Sequence, residues 1–462
     1  MRTKSFIQDV ICKNPIKMSF SRLGKKDYWK NLHQNQLIHH SERSTIERFQ
    51  LDKLKKLLYV AQKAPYYNVF IKNLKKPIEN ITITDLKKFP ILTKEIIRSE
   101  GRNMLTNNQK KLIPITTSGS TGTPLLFYQD TDYQKHVWST NMIINEMCGW
   151  YYGARLARIW GCMPKTSKLL LNCKDYIQNT RFYNIAELSE KKIEAYHLDM
   201  SKFKPEIISS YTSSIYLIAK YLEARKIKPN YPKIAISTSC ETLYPHMRRT
   251  IEGVFGVKIF DRYGSREVNG IASECEAHSG LHIFVENVVV ECLDPITGEE
   301  VIDKPGEIIV TDLNNYGMPF IRYRVGDVGI ATKQICSCGR NSLMFKQIMG
   351  RDTDFLTLKN GSVYDVDHFT HKFFDIQGVK EFQFCQDTIE TFTISIVTDN
   401  SNNQQIIDKV KKEISDVLGH GSSLDVKVVD SIPKPANGKY RYFISKVSPD
   451  KIWQQVSCEQ RN

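Results

Sequence analysis

The stretch Thr116-Thr-Ser-Gly-Ser-Thr-Gly-Thr-Pro124 constrains this chain more than any other. It is flanked by two short apolar runs, Leu112–Ile115 and Leu125–Tyr128, so the pattern predicts a strand, a polar loop and a second strand. Gly119 and Gly122 tolerate positive φ and let backbone N–H groups face one concavity, while five hydroxyls between Thr116 and Thr121 add donors. Such a loop can cradle an oxyanion. The same residues also build solvated turns, and the stretch alone leaves both readings open. It is not a Walker A loop: no Lys-Ser/Thr follows the second glycine, so a lysine that reaches a bound phosphate has to come from elsewhere.

With 462 residues, 41% hydrophobic and 25% charged, the chain can bury a large core and suffices for two or more domains. No apolar run reaches the roughly 18 residues of a membrane span. Charge interrupts Met1-Arg-Thr-Lys-Ser-Phe-Ile-Gln-Asp9 before a signal-peptide core forms, so a cytoplasmic protein is expected. Eleven cysteines, an odd number spread widely, argue for reduced thiols, some of them on metal, over a disulfide framework. The net charge of +15, from 65 Lys and Arg against 50 Asp and Glu, favours anionic partners. The lysines are scattered, as in Lys75-Lys76 and Lys87-Lys88, and no nucleic-acid partner is expected.

In chain order, the first forty residues read as irregular. Ser44-Thr-Ile-Glu47 then offers a capping box for an amphipathic helix ending before Pro65. Further starts fall at Thr82–Asp85 and Thr93. The aromatic-rich segment 133–160 reads as core or as the wall of an apolar pocket. Between 190 and 310 short apolar strands alternate with helices, as in Lys233–Ser237, Pro245–Val254 and Val257–Phe260, which is an α/β signature. The last of these runs into Asp261-Arg-Tyr-Gly-Ser-Arg-Glu267, at a strand's carboxyl end, where α/β sheets place ligands. Three more polar turns follow: Phe320–Val328, Gly350–Phe355 and Ile432–Arg441. After residue 355 strands 381–385, 391–397 and 424–429 and a helix over 404–417 predict a compact α+β unit.

These five stretches, in this order across residues 45–445, resemble the adenylate-forming ligase superfamily, in the branch of phenylacetate–CoA ligase and its capsular-polysaccharide CapK-like relatives. The resemblance rests on Thr117-Ser-Gly-Ser-Thr-Gly-Thr-Pro124, Tyr263-Gly-Ser-Arg-Glu267, Tyr323-Arg-Val-Gly-Asp327, Gly350-Arg351 and Gly438-Lys439 together. It implies an α/β fold with a large N-terminal adenylation domain of mixed sheets and helices, residues 1–349, and a small mobile α+β C-terminal lid, residues 350–462, hinged near Met349-Gly350. It also implies activation of a carboxylic acid by ATP to an acyl-adenylate, then transfer to coenzyme A. An amine or sugar acceptor, as in cell-surface polysaccharide synthesis, is the nearest alternative. A non-catalytic basic zinc protein is the alternative of another class.

By the same resemblance the loop Thr117, Ser118, Gly119, Ser120, Thr121, Gly122 and Thr123 holds the β- and γ-phosphates, and Glu267 holds Mg²⁺. Asp327 and Arg351 contact ribose. Tyr263, with Gly264 and Ser265, and Ser239-Cys-Glu-Thr242, including Glu241, lie where relatives contact adenine. Lys439 is the catalytic lysine. Arg266 replaces a threonine common at the α-phosphate, Thr353 replaces a charged hinge residue with Asp354 one place on, and Ser239–Thr242 replaces Gly-Gly-Glu-Pro. Separately, Cys275, His278, His282 and Cys336-Ser-Cys338 offer soft donors suited to tetrahedral Zn²⁺, or else buried thiols with a surface histidine. Similar cysteines in the branch favour a structural site of Cys275, His282, Cys336 and Cys338, with His278 the alternative imidazole.

Overall fold

The computed structural model describes residues 26–106, 111–117, 125–151, 153–160, 179–184, 190–351, 355–357, 363–365, 376–399, 402–418, 422–433 and 442–447. A helix, Lys26–Ile38, stands where the sequence reads as irregular. Its own apolar pattern is weak and tertiary contacts hold it: Trp29 meets Trp138 edge to face at 5.3 Å, and Asn31 and Asn35 donate to the Ser139 hydroxyl at 2.9 and 3.0 Å. Helix Arg43–Ala61 begins ahead of the expected capping box, with Glu42 at its cap and no side-chain cap bond, while Ile46 is buried beside Val285. Pro65 opens helix Pro65–Asn73, where its missing N–H is no loss. The Thr82–Asp85 box does form, capping a 3₁₀ segment, and Thr93 accepts from Ile96 N at the start of helix Lys94–Glu100.

β1 (Leu112–Thr116) and β2 (Leu126–Asp130) pair antiparallel. Helix Tyr133–Met147 leads to a parallel group, β3 (Leu156–Trp160), β4 (Thr180–Asn184), β5 (Ile207–Tyr211), β6 (Ala235–Ser239) and β7 (Lys258–Tyr263). Helices Glu190–Phe203, Thr212–Ala224 and Pro245–Phe255 connect these strands and cover Ile159, Ile208, Ile236 and Ile259 on one face. β8 (Ala272–Glu274), β9 (Leu281–Ile283), β10 (Val288–Leu293), β11 (Pro305–Asp312), β12 (Tyr323–Thr332) and β13 (Met344–Arg351) extend it antiparallel. The resulting sheet has the order β10-β11-β12-β13-β9-β8-β7-β6-β5-β3-β4.

After the short pair β14 (Phe355–Thr357) and β15 (Val363–Asp365), a separate sheet forms from β16 (Val379–Gln386), β17 (Thr391–Thr398), β18 (Ser423–Val428) and β19 (Phe443–Ser445), in the order β18-β17-β16-β19. Helix Asn403–Leu418 seals its core of Phe384, Ile394, Val410 and Ile414. β19 escapes a reading by periodicity because three residues carry too little pattern, and its parallel pairing with β16 is a tertiary choice. Met349 and Gly350 lie inside β13, with Gly350 at φ 101° and in register with Val328. The fold is α/β, with the C-terminal α+β unit built on its own core. Among the described residues no helix is long and apolar enough to cross a membrane.

Candidate functional site

The hydroxyl-rich loop is closed at its base. Thr117 N donates to Leu125 O at 2.9 Å, and Leu125 N donates back to Thr117 Oγ1 at 2.9 Å. Ser118, Gly119, Ser120, Thr121, Gly122 and Thr123 lie outside the described residues, as do Thr353, Asp354 and Lys439.

β7 delivers the next group of side chains. Tyr263, its last residue, donates from its hydroxyl to Asp327 Oδ2 at 2.7 Å, joining residues 64 positions apart. Asp327 stands opposite Arg351 in the β12–β13 register, so three of the sequence-selected residues converge at one end of the sheet. The chain then turns tightly: a Cβ on Gly264 would lie 2.9 Å from Gly270 N, and Gly270 has φ 64° with Thr140 packed where its Cβ would be. Ser265 exchanges bonds with Val268, its N donating to Val268 O and its Oγ accepting from Val268 N, both at 3.0 Å.

That turn points Glu267 inward, 6% exposed, where Tyr323 donates to its Oε1 at 2.9 Å. A buried carboxylate oriented through one oxygen is a hard-donor arrangement suited to Mg²⁺. Arg266, beside it, is exposed. Glu241 lies elsewhere in the site: its carboxylate accepts from Ser213 N at 2.7 Å, at the start of helix Thr212–Ala224, and its carbonyl accepts from Thr212 Oγ1.

A buried polar cluster braces the turn from behind. Asn287 Nδ2 donates to Thr140 Oγ1 at 2.8 Å and to Gly270 O at 3.0 Å, and Asn269 N donates to the Tyr133 hydroxyl at 3.2 Å. Asp312 accepts from Asn314 N, and burial pushes its pKa up to about 6. Asp312 was not singled out by sequence, and Tyr133 was read only as one aromatic residue of the segment 133–160. Tyr323 sat in the Tyr323–Asp327 motif, but only the fold points its hydroxyl at Glu267.

A second cluster sits where β8, β9 and the segment before β13 meet. The donor atoms of Cys275, His282, Cys336 and Cys338 all lie within 4.8 Å of one another. Cys275 Sγ is 3.6 Å from Cys336 Sγ, and Cys338 Sγ is 3.3 Å from His282 Nε2. Zinc–sulfur bonds of about 2.3 Å at a tetrahedral angle separate two sulfurs by roughly 3.8 Å, so the donor set fits that ion. His282 Nδ1 meets Ser342 Oγ at 3.1 Å, and burial, then Arg340, holds its pKa down to about 3, a neutral imidazole able to ligate. His278 turns instead to Glu274, at 3.3 Å.

Likeness to known proteins supports an AMP-forming acid–CoA ligase-like enzyme. Residues 356–446 match the CapK C-terminal domain family. Over 84% of this chain and 86% of the relative, the sequence is 28% identical to protein CapK of Staphylococcus aureus. It is 26% identical to phenylacetate-coenzyme A ligase of Pseudomonas putida over 69% of this chain and 73% of that one. Among solved structures, 2-hydroxyisobutyryl-CoA ligase in its postadenylation state superposes with a TM-score of 0.71 at 15% identity, covering 92% of this chain and 94% of the other, a likeness of fold. The chain is thus similar to CapK and to phenylacetate-coenzyme A ligase along most of its length, and it shares its fold with a CoA ligase.

Proposed function

We propose that the protein activates a carboxylic acid with ATP, releasing pyrophosphate to leave an acyl-adenylate, and passes the acyl group to coenzyme A. The observation that carries this reading is the Tyr263–Asp327 bond beside the buried Glu267–Tyr323 pair, at the carboxyl end of β7. On this reading Tyr263, with Gly264 and Ser265, borders adenine, and Asp327 accepts from the ribose hydroxyls with Arg351 alongside. Ser118–Thr123 wrap the outer phosphates, and Arg266 reaches the α-phosphate from the surface. Glu267 would hold Mg²⁺, which neutralises phosphate charge when bound, while Tyr323 keeps the carboxylate aimed. Glu241 contributes by fixing the segment Ser239–Thr242 to the helix start at Ser213.

Lys439 supplies the cation that the loop 117–123 lacks. Tyr442, three residues on, packs against both the parallel-sheet core and the C-terminal core, which supports delivery of this stretch to the same sheet edge. The lid, residues 350–462, turns about Gly350 to exchange the two half-reactions. Zn²⁺ bound by Cys275, His282, Cys336 and Cys338 is structural, in a closed site away from the transfer chemistry.

The match of residues 356–446 to the CapK C-terminal domain favours a second reading, in which an amine or a sugar accepts the acyl group instead of coenzyme A. ATP–pyrophosphate exchange over aromatic, fatty and sugar-derived acids tests the first half-reaction, and acceptor competition between thiol and amine separates the two readings. Absence of exchange with every acid would remove the adenylation reading.

A further inference from the structure

The parallel strands present two unlike faces. One carries Ala157, Ile159, Ile208, Ile236 and Ile259 under the connecting helices and turns to Ser210, Thr238 and Asp261 at the strands' carboxyl ends. The other begins apolar, with Leu156, Ile207, Ala235 and Phe260 beneath Trp150 and Ala154, and turns polar toward the strands' carboxyl ends. Period-two alternation puts Arg158, Ser209, Ser237 and Arg262 on that face, where Ser209 is in register with Arg158 on one side and Ser237 on the other. Nothing in sheet packing calls for a guanidinium there.

Among the described residues no ion pair to a carboxylate holds Arg262. Its Nη2 reaches Ser209 Oγ only at 3.4 Å, and its guanidinium lies over the Trp160 ring, 5.3 Å from the centroid. Its Nε is buried and meets no acceptor among the described residues. The acidic groups that bear on it are the Cys240 and Cys148 thiols and the Asp261 carboxyl. Burial pushes the Cys148 thiol up to about 12, so it stays protonated near pH 7, and burial with Glu274 raises the Asp261 carboxyl well above its ordinary range.

Arg322 shows how this fold treats a structural arginine: Nε and Nη2 meet Glu291 at 3.0 and 3.0 Å, and Nη1 donates to Phe89 O at 2.8 Å. A desolvated cation lacking such partners is costly, and an incoming anion relieves that cost. Arg262 also directly precedes Tyr263, so it stands one strand position from the proposed adenosine contacts, facing the other side of β7. Trp160, over which it lies, meets Tyr211 edge to face at 4.7 Å, and the two rings can wall a carbon chain.

We infer that Arg262 and the Ser209 hydroxyl form a subsite for a second anionic group, so that the activated acid carries another carboxylate besides the one that reacts. The guanidinium fork matches a carboxylate bidentately, and Trp160 with Tyr211 lines the carbon chain between the two anions. This inference rests on the acid-activating reading above and narrows it to a dicarboxylate.

The test is ATP–pyrophosphate exchange by the full chain with succinate, glutarate and adipate against hexanoate and phenylacetate. The expected result is a preference for a dicarboxylate on the order of 100-fold in kcat/KM, the size of a buried charge-assisted contact. Arg262→Leu should lower dicarboxylate kcat/KM by a similar factor, chiefly through KM, and raise that for hexanoate. Arg262→Lys, which keeps the charge, should recover part of the loss, and thermal unfolding shows that each variant is folded. Wild-type preference for hexanoate or phenylacetate, unmoved by Arg262→Leu, would overturn the subsite and leave adenylation standing. No exchange with either class of acid would overturn the adenylation reading and this inference with it.

Discussion

The Tyr263 hydroxyl donates to Asp327 Oδ2 at 2.7 Å, tying the end of β7 to the middle of β12. The bond holds an aromatic ring and a carboxylate at fixed separation before any nucleotide arrives, which lowers the ordering cost of binding. Tyr263→Phe keeps the ring and removes the bond. It should raise KM for ATP about 5- to 10-fold, the effect of roughly 1 kcal/mol for one hydrogen bond, with kcat little changed. Pyrophosphate-exchange kinetics at varied ATP measure it, and an unchanged KM would show that the bond does no positioning.

Glu267→Gln should lower adenylation on the order of 100-fold at millimolar Mg²⁺ and shift the half-saturating Mg²⁺ upward, since a carboxylate ligand becomes a neutral amide. Tyr323→Phe, which only releases the carboxylate's orientation, should have a smaller effect in the same direction. Equal activity across a Mg²⁺ titration would detach Glu267 from the metal.

Lys439→Ala should cost on the order of 100- to 1,000-fold in pyrophosphate exchange, about 3 kcal/mol or more of transition-state charge stabilisation. The same variant, given chemically prepared acyl-adenylate and the correct acceptor, should form product at close to the wild-type rate. Equal loss in both half-reactions would point to a structural role.

Freshly purified protein should carry close to one zinc per chain by elemental analysis. Cys336→Ser and Cys338→Ser should each lose it and lower the melting temperature, because metal binding contributes folding free energy. Zinc-free protein with wild-type stability would dismiss the site.

Acidification should destabilise the fold partly through His136. Burial, then Lys53 and Lys56, hold its pKa at about 3 against an ordinary 6.5. The unfolded chain therefore takes up this proton as pH falls below 6.5 while the folded chain does not until about 3, and stability is lost across that window. Melting temperatures of His136→Phe should fall less steeply than wild type between pH 6.5 and 4.5. Parallel curves would assign the acid sensitivity elsewhere.

What the sequence determined by itself is local or ordered along the chain. Strand and helix alternation, the caps at Thr82 and Thr93, the two strands around Thr117 and Leu125, and three strands and the helix of the C-terminal unit follow from periodicity and turn chemistry. Tyr263, Glu267 and Asp327 were marked because they sit in motifs, whose order carries the family resemblance. Tertiary structure decided whatever depends on a distant partner. Helix Lys26–Ile38 is stabilised by Trp138 and Ser139, more than a hundred positions away, while its own pattern is weak. His282 faces Cys338 and His278 faces Glu274, a difference set by where β9 places each ring. Arg322 and Arg262 both belong to polar sequence motifs of similar composition, yet one lies against Glu291 and the other on a sheet face over Trp160. A side chain's chemistry is local, but its counter-charge is supplied by the fold.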